Sequence, residues 1–275
     1  MKTFFQPRML RTLLAALAIS PLPAFAAGPA NPLSAKELAA RLSTLQQDGS
    51  SYIRLRLEVK QPAGTTALQI QIRQLRTKAS TNVIYQILWP KERKGEAVLL
   101  TSIRNESPKG TLFVPPETTT VIGSSQMKEP LFDSDLCYAD IIENFFAWDS
   151  QTILGEEMIG RVNCRILESK PGGGQSIYTR VRSWVDPERL VPLRVEKFFS
   201  SAEPARRIET TRVSREDDGH HIPAGLSVQG PRKNSVTTLE GSRLNTSVNY
   251  EAGDFTVEGL KALKPPVPTG AGAKD

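Results

Sequence analysis

The residue types able to do covalent or metal chemistry are few in this chain and poorly placed for it. Its 275 residues hold two cysteines, Cys137 and Cys164, and two histidines, His220 and His221. The histidines are adjacent, and neighbours in an extended strand point to opposite faces, so they cannot grip one metal ion from regular β structure. Glu156-Glu157 and Asp217-Asp218 are carboxylate pairs, but general acid and base roles need carboxylates facing each other across a pocket, which chain neighbours rarely do. Both pairs read as solvated turns. Pro171-Gly-Gly-Gly174 lacks the Lys-Ser or Lys-Thr of a phosphate loop and reads as a hairpin turn. A Gly-x-Ser-x-Gly elbow, a dinucleotide fingerprint and a His-Glu-x-x-His pair are all missing. The expectation is a protein that is not an enzyme, with no catalytic residue, no metal and no cofactor.

The cysteines leave two readings open. A Cys137–Cys164 disulfide would close a loop of about 28 residues, which chain entropy values at roughly 3 to 4 kcal/mol. Two separate thiols acting as small buried hydrophobes satisfy the sequence equally. The first 26 residues set the compartment in which that choice is made. Lys2, Arg8 and Arg11 precede an apolar run, Thr12 to Ser20, too short to span a bilayer, and Ala24-Phe25-Ala26 offers a small-x-small cleavage site. The spacing predicts a signal peptide over 1–26, cut before Ala27, and a periplasmic mature chain. The residue after the cut is Ala27, and the first cysteine is Cys137, so the lipid-accepting cysteine is missing and transient membrane contact is the most that is expected. Removing those three basic residues lowers the net charge from +6 to +3, too mild and too scattered to predict nucleic-acid binding.

The elements that position these residues are mostly strands. Ser34 and Glu37 form a capping box ahead of Leu38, Leu42 and Leu45, which recur at helical spacing. From Tyr52 the period is two: Ile53, Leu55, Leu57 and Val59 share one face, and Tyr52, Arg54, Arg56, Glu58 and Lys60 the other. Leu68, Ile70 and Ile72, then Val83, Tyr85, Ile87 and Trp89, continue this as an antiparallel meander with one wet face. Further strands are expected at 97–103, 111–115, 118–122, 161–168, 176–185, 193–199 and 208–214. One helix interrupts them at 138–147, where Tyr138, Ile141, Ile142 and Phe145 form an apolar stripe. A long sheet cannot bury its apolar face on itself unless it curls. The fold expected is therefore mainly β with a few helices, a curved antiparallel sheet forming an unclosed half-barrel under a helical lid. It would be a single domain over 27–263, with a disordered Pro/Gly-rich tail at 264–275.

Short blocks in order along residues 33 to 260 resemble a known family. Trp89-Pro-Lys-Glu-Arg-Lys-Gly-Glu-Ala-Val-Leu-Leu100 is similar to its "P, then R-G, then A-L-L" segment. Thr111-Leu-Phe-Val-Pro115 and Ser134-Asp-Leu-Cys-Tyr-Ala-Asp-Ile141 are similar to its "W-L-Y-L-P" and "S-D-F-S-Y-E-D-L" blocks. Gly160 to Glu168, Tyr178 to Asp186 and Asp254-Phe-Thr256 fit as well. These are blocks of the LolA/LolB-like outer-membrane lipoprotein-sorting proteins. The family's helix-opening Ser or Thr is here Cys137 and its Glu is Ala139, so the start of the lid helix needs support from Ser134, Asp135 or the disulfide.

The resemblance implies a periplasmic carrier that holds the acyl chains of a lipoprotein or lipid in an apolar cavity and moves them towards the outer membrane. An inner-membrane exporter and an outer-membrane acceptor would be its partners. The candidate cavity wall is Leu55, Leu57, Ile70, Ile72, Tyr85, Ile87 and Phe113, with Ile141, Ile142 and Phe145 under the lid. The same side chains would serve equally as a filled core. An alternative keeps the fold as a periplasmic interaction or sensor module docking on an envelope exporter or regulator. A hydrolase of envelope substrates ranks last.

Overall fold

Alternation of apolar and polar residues yields thirteen strands in one antiparallel sheet, seen in a computed structural model that describes residues 33–44, 49–77, 79–103, 106–173, 176–217, 219–241 and 244–261. The expected signal peptide and tail lie outside the described residues, as do Leu45 and Asp218. Strands β1 Gly49–Gln61, β2 Gly64–Arg76, β3 Ser80–Trp89, β4 Ala97–Ile103, β5 Lys109–Val114 and β6 Thr118–Ile122 meander to one edge. Strands β7 Ser150–Ile159, β8 Val162–Lys170, β9 Arg180–Asp186, β10 Val191–Phe198, β11 Arg206–Arg215, β12 His221–Gln229 and β13 Val236–Gly241 run back from the other edge until β13 pairs with β1. The sheet is not closed, because β6 and β7 are its two edges.

That topology creates the lid. The chain leaves β6 at one edge and must enter β7 at the other, so residues 123–149 cross the face between them. Helix α1 Ala35–Thr44 and helix α2 Tyr138–Ile142 lie on this inner side. The crossing also shows that the sheet is rolled. Helix α2 touches β4, and its Asp140 reaches β10 and β11. On a flat sheet β4 and β10 would stand about 34 Å apart, at about 4.8 Å per strand, far beyond the reach of one helix about 10 Å across.

The core lies between lid and sheet. Leu57, Ile70, Ile87, Leu100, Val181, Val195 and Leu239 from the inner face meet Leu131, Leu136, Tyr138 and Ile142 from the lid in one buried cluster. Helix α1 starts as expected: Ser34 Oγ accepts the Glu37 N–H at 3.3 Å, and Glu37 accepts the Ser34 N–H at 2.8 Å. Its Leu38 and Leu42 pack on Leu167 and Val185.

Four expectations need correction. The helix expected over 138–147 breaks at Glu143-Asn144 into α2 and a single 3₁₀ turn, Phe145–Ala147. Ser176 binds the Glu143 carboxylate and Asn144 binds Ser43, so side-chain hydrogen bonds outcompete the helical ladder there. Strand β9 begins at Arg180 rather than at 176. Strands β7, β12 and β13 were not expected: β7 carries a bulge between Ile153 and Gly155, β12 holds Pro223 and Gly225 at register shifts, and β13 is short and Thr-rich. Finally, the outer face is wet only in part. Across β8 to β11 it carries a charge ladder, with Glu168–Arg182 at 2.8 Å and Glu196–Arg207 at 2.7 Å. Across β1 to β5 it is covered by the C-terminal segment, where Val248, Tyr250, Phe255 and Leu260 bury Tyr52, Ile84, Leu99 and Phe113. Leu260 belongs to helix α3 Val257–Lys261, whose backbone carbonyl at Leu260 accepts from Gln86 at 3.2 Å.

Phe255 is the anchor of that strap, packed edge-on to Tyr250 at 6.0 Å. Phe255→Ala should cost about 3 kcal/mol in a urea titration and speed amide exchange in β3 and β4. An unchanged midpoint would show that the strap adds nothing to the fold.

Candidate functional site

A buried charge cluster decides where the lid sits. Lys197 of β10 and Arg206 of β11 are direct cross-strand partners on the inner face, and both side chains are almost wholly buried. Two cations so placed repel each other. Asp140 of α2, with a fully buried side chain, descends between them: Lys197 Nζ donates to its Oδ1 at 2.9 Å, and Arg206 Nε lies 2.9 Å from its Oδ2. Tyr178 O–H donates to Oδ1 at 2.7 Å and the Cys137 N–H to Oδ2 at 2.8 Å, so both carboxylate oxygens accept hydrogen bonds as well as facing a cation. Burial alone would raise the Asp140 carboxyl; Lys197 and Arg206, with the two hydrogen bonds, outweigh it and hold the group below the usual carboxylate range. The same Asp140 bond supports the α2 start that lacks a Ser or Thr cap, a role expected instead of Ser134, Asp135 or a disulfide.

A second aspartate ties down the preceding turn. Asp135 Oδ2 accepts from Ser235 and Thr237, each at 2.8 Å, its N–H donates to Thr237 at 2.8 Å, and its carbonyl accepts from Arg206 at 2.9 Å. Both aspartates of the Ser134-to-Ile141 block are therefore lid anchors, pinned to the β10–β13 half of the sheet.

The cysteines are separate buried thiols, not a disulfide. Cys137 opens α2 on the inner side, with its sulfur 3.5 Å from the Tyr178 hydroxyl. Cys164 lies three residues from Leu167, which packs on α1, so strand alternation turns it to the outer face. The sheet stands between them. Burial pushes the Cys137 thiol up to about 11.

The expected wall residues divide. Leu57, Ile70, Ile87 and Ile142 are fully enclosed in the core under the lid; Leu55, Ile72, Tyr85, Ile141 and Phe145 border it half-buried. Phe113 lies on the opposite face, because Leu112 takes the inward position and its neighbour must point out, against the C-terminal strap. Next to the lid's broken end opens a cleft of about 930 Å³, lined by Ile142, Glu143, Asn144 and Trp148 on one side and by the ends of β2, β3 and β4 on the other. Burial raises the Glu143 carboxyl to about 7, against the lowering effect of Ser176 and Lys197. Of the motifs singled out for chemistry, Glu156 accepts from Asn163 at 2.6 Å and Glu157 from Trp184 at 2.8 Å on the β7 edge, and His221 opens β12. Among the described residues no group of three His, Cys, Asp or Glu side chains is placed to hold a metal, and no helix is long and apolar enough to cross a membrane.

A family model described as an uncharacterized protein matches residues 79–262. No curated protein matches the chain. The fold is similar to that of a DUF1329 family protein from Desulfovibrio piger, with 20% identity and a TM-score of 0.76 over 82% of this chain and 97% of that one. It is similar to a putative outer membrane lipoprotein-sorting protein domain from Vibrio parahaemolyticus, with 19% identity and a TM-score of 0.75 over 83% and 98%. A LolA superfamily protein from Nitrosomonas europaea follows with 16% identity and a TM-score of 0.67 over 82% and 98%.

Asp140→Asn leaves Lys197 and Arg206 buried without a counter-charge and should cost about 3 to 5 kcal/mol in urea unfolding; Asp140→Asn with Lys197→Met should recover part of it. A loss under 1 kcal/mol for the single variant would show the cluster to be incidental. Glu143 titrates in the other direction. Its folded value lies above the 4.5 of an ordinary glutamate, so its contribution is complete below about pH 4.5 and disappears as pH rises through about 7. Glu143→Gln should thus gain stability over the parent between pH 5 and 8 and match it at pH 4; parallel stability curves would refute the shift.

Proposed function

We propose that this chain, which belongs to the uncharacterized-protein family whose model covers residues 79–262 and shares the LolA superfamily fold, is a periplasmic carrier. It takes the acyl chains of a lipoprotein or lipid between sheet and lid and moves them towards the outer membrane. The observation that carries the reading is an asymmetry in how the lid is held. Charges pin it to the β10–β13 half, while Leu55, Ile72 and Tyr85 of β1 to β3, and Ile141 and Phe145 of the lid itself, are apolar yet incompletely covered. An acyl chain sliding there completes the burial of both partners at about 0.8 kcal/mol per methylene. Ten methylenes supply about 8 kcal/mol before the entropic cost of association, enough for capture and weak enough for release. No covalent step is required, and loading by an inner-membrane exporter and unloading to an outer-membrane acceptor follow as transient contacts.

A second reading has an observation of its own. The edge strands expose Val121 at 76%, Met158 at 57% and Leu154 at 46%, and an unpaired strand edge with apolar side chains is a docking template for a partner strand. An interaction module would use those edges and leave the interior unoccupied.

Native mass spectrometry of the mature protein purified gently from periplasm separates the two. A stoichiometric acylated species, lost in a folded Phe145→Asp variant, is the carrier's expected result. A ligand-free mass that also refuses added phospholipid and fatty acid would transfer the assignment to the interaction module.

A further inference from the structure

The inner face changes character along the strands at the cleft. Register places Ile72, Tyr85 and Val98 side by side across β2, β3 and β4, then Gln74, Val83 and Leu100, then Arg76, Thr81 and Ser102. Each row is two residues on from the last and so about 7 Å further along. Within that distance an apolar surface becomes a polar one, and the polar row lines the cleft. The mouth therefore matches the junction between the chain and the head of an amphiphile.

The opposing wall states which head. Asn144 donates its amide to Ser43 at 2.9 Å, but its Oδ1 is buried without a partner among the described residues. The Asp149 carboxylate lines the same cleft, seated over Gly172, where a side chain would find no room. Trp148 lines the same wall half-buried, held edge-on by Phe145 at 6.2 Å. Glu143 and Asp149 put carboxyl groups on the wall that carries Asn144 and Trp148, which disfavours a phosphate against that wall. An apolar ring beside acceptors lacking donors, facing a row of hydroxyls, is the surface that a sugar complements: its C–H face covers the indole while its hydroxyls both donate and accept.

We propose that the cleft is a head-group subsite for a glycosylated amphiphile, the polyol head held by Asn144, Trp148 and Asp149 opposite Thr81 and Ser102. The assignment rests on the carrier reading and narrows its cargo to a lipid bearing an uncharged carbohydrate.

The test uses one dodecyl chain on three heads, maltose, phosphocholine and trimethylammonium, each titrated calorimetrically below its micelle concentration into the mature protein. The maltoside should bind at least about tenfold more tightly than the other two. Asp149→Ala and Trp148→Ala should each weaken the maltoside about three- to tenfold and leave the others within about twofold. Equal affinity for all three heads, a preference for phosphocholine or trimethylammonium, or losses shared by all three in both variants would overturn the head-group assignment while the carrier reading stands. Failure of every dodecyl compound to bind would sink both.

Discussion

Lys197 and Arg206 face each other across β10 and β11, and the position of the lid follows from that pairing. Strand register brings two cations face to face on the buried side of the sheet, an arrangement that cannot stand unless an anion arrives from outside the sheet. Asp140 is that anion, and it comes on the crossing segment that the order of the strands forces over the inner face. Sheet and lid therefore specify each other. Buried ion pairs seldom add much net stability over a well-packed apolar substitute, but they discriminate strongly against misplacement, since any shift of α2 strands three charges in a low-dielectric interior. A purely apolar lid could slide along the rows of Leu, Ile and Val beneath it; this one cannot.

The two faces of the sheet divide the remaining work. On the β8–β11 half, outward positions hold opposite charges in register, Glu168 with Arg182 and Glu196 with Arg207, while inward positions hold Val181, Val195 and the lid anchors. On the β1–β5 half the outer face carries an apolar patch, Tyr52, Ile84, Leu99 and Phe113, closed by the strap through Phe255 and Leu260. That closure has a consequence for binding. With that outer patch already covered from within the chain, Leu55, Ile72 and Tyr85 remain as incompletely covered apolar residues of β1 to β3 on the inner side.

How much of this was legible in the sequence follows from how local each signal is. Alternation in β1 to β4 and the capping box of α1 depend on neighbours within a few residues, and they read directly. The chain's resemblance to lipoprotein-sorting proteins rested on the spacing of short blocks, and one of them, Ser134 to Ile141, turns out to hold both lid anchors. The role of those aspartates was not legible, because their partners lie 57 and more residues away, at Lys197 and at Ser235 and Thr237. A signal was present nonetheless: Lys197 occupies the inward position of its strand two residues after Val195, where a lone cation demands a buried partner. The helix break at Glu143 and the strap over Phe113 are contests between competing hydrogen bonds and competing covers, and neither contest is visible in periodicity. Phe113 was placed on the wrong face for this reason, since Leu112 and Phe113 are both apolar and only tertiary cover separates in from out.

On the proposed carrier reading, the split within the expected wall lets one region serve both fold and cargo. Leu57, Ile70, Ile87 and Ile142 already bury nearly all of their surface, so a ligand gains nothing from them without first prising them apart, and such an opening costs the cavity term that large-to-small substitutions reveal. Leu55, Ile72, Tyr85, Ile141 and Phe145 still face partial exposure, and covering them is favourable in proportion to the area removed from water. Stability and affinity thus draw on different side chains of one sheet-and-lid interior. Because the charged anchors fix the lid at its β10–β13 flank, the motion that the proposed carrier needs to admit a chain falls to the flank over β1 to β3 and to the broken end at Glu143-Asn144, where the backbone has already left the helix. On the carrier reading proposed above, the chain opens without dismantling its core, and the depth to which it opens sets the length of acyl chain it shields.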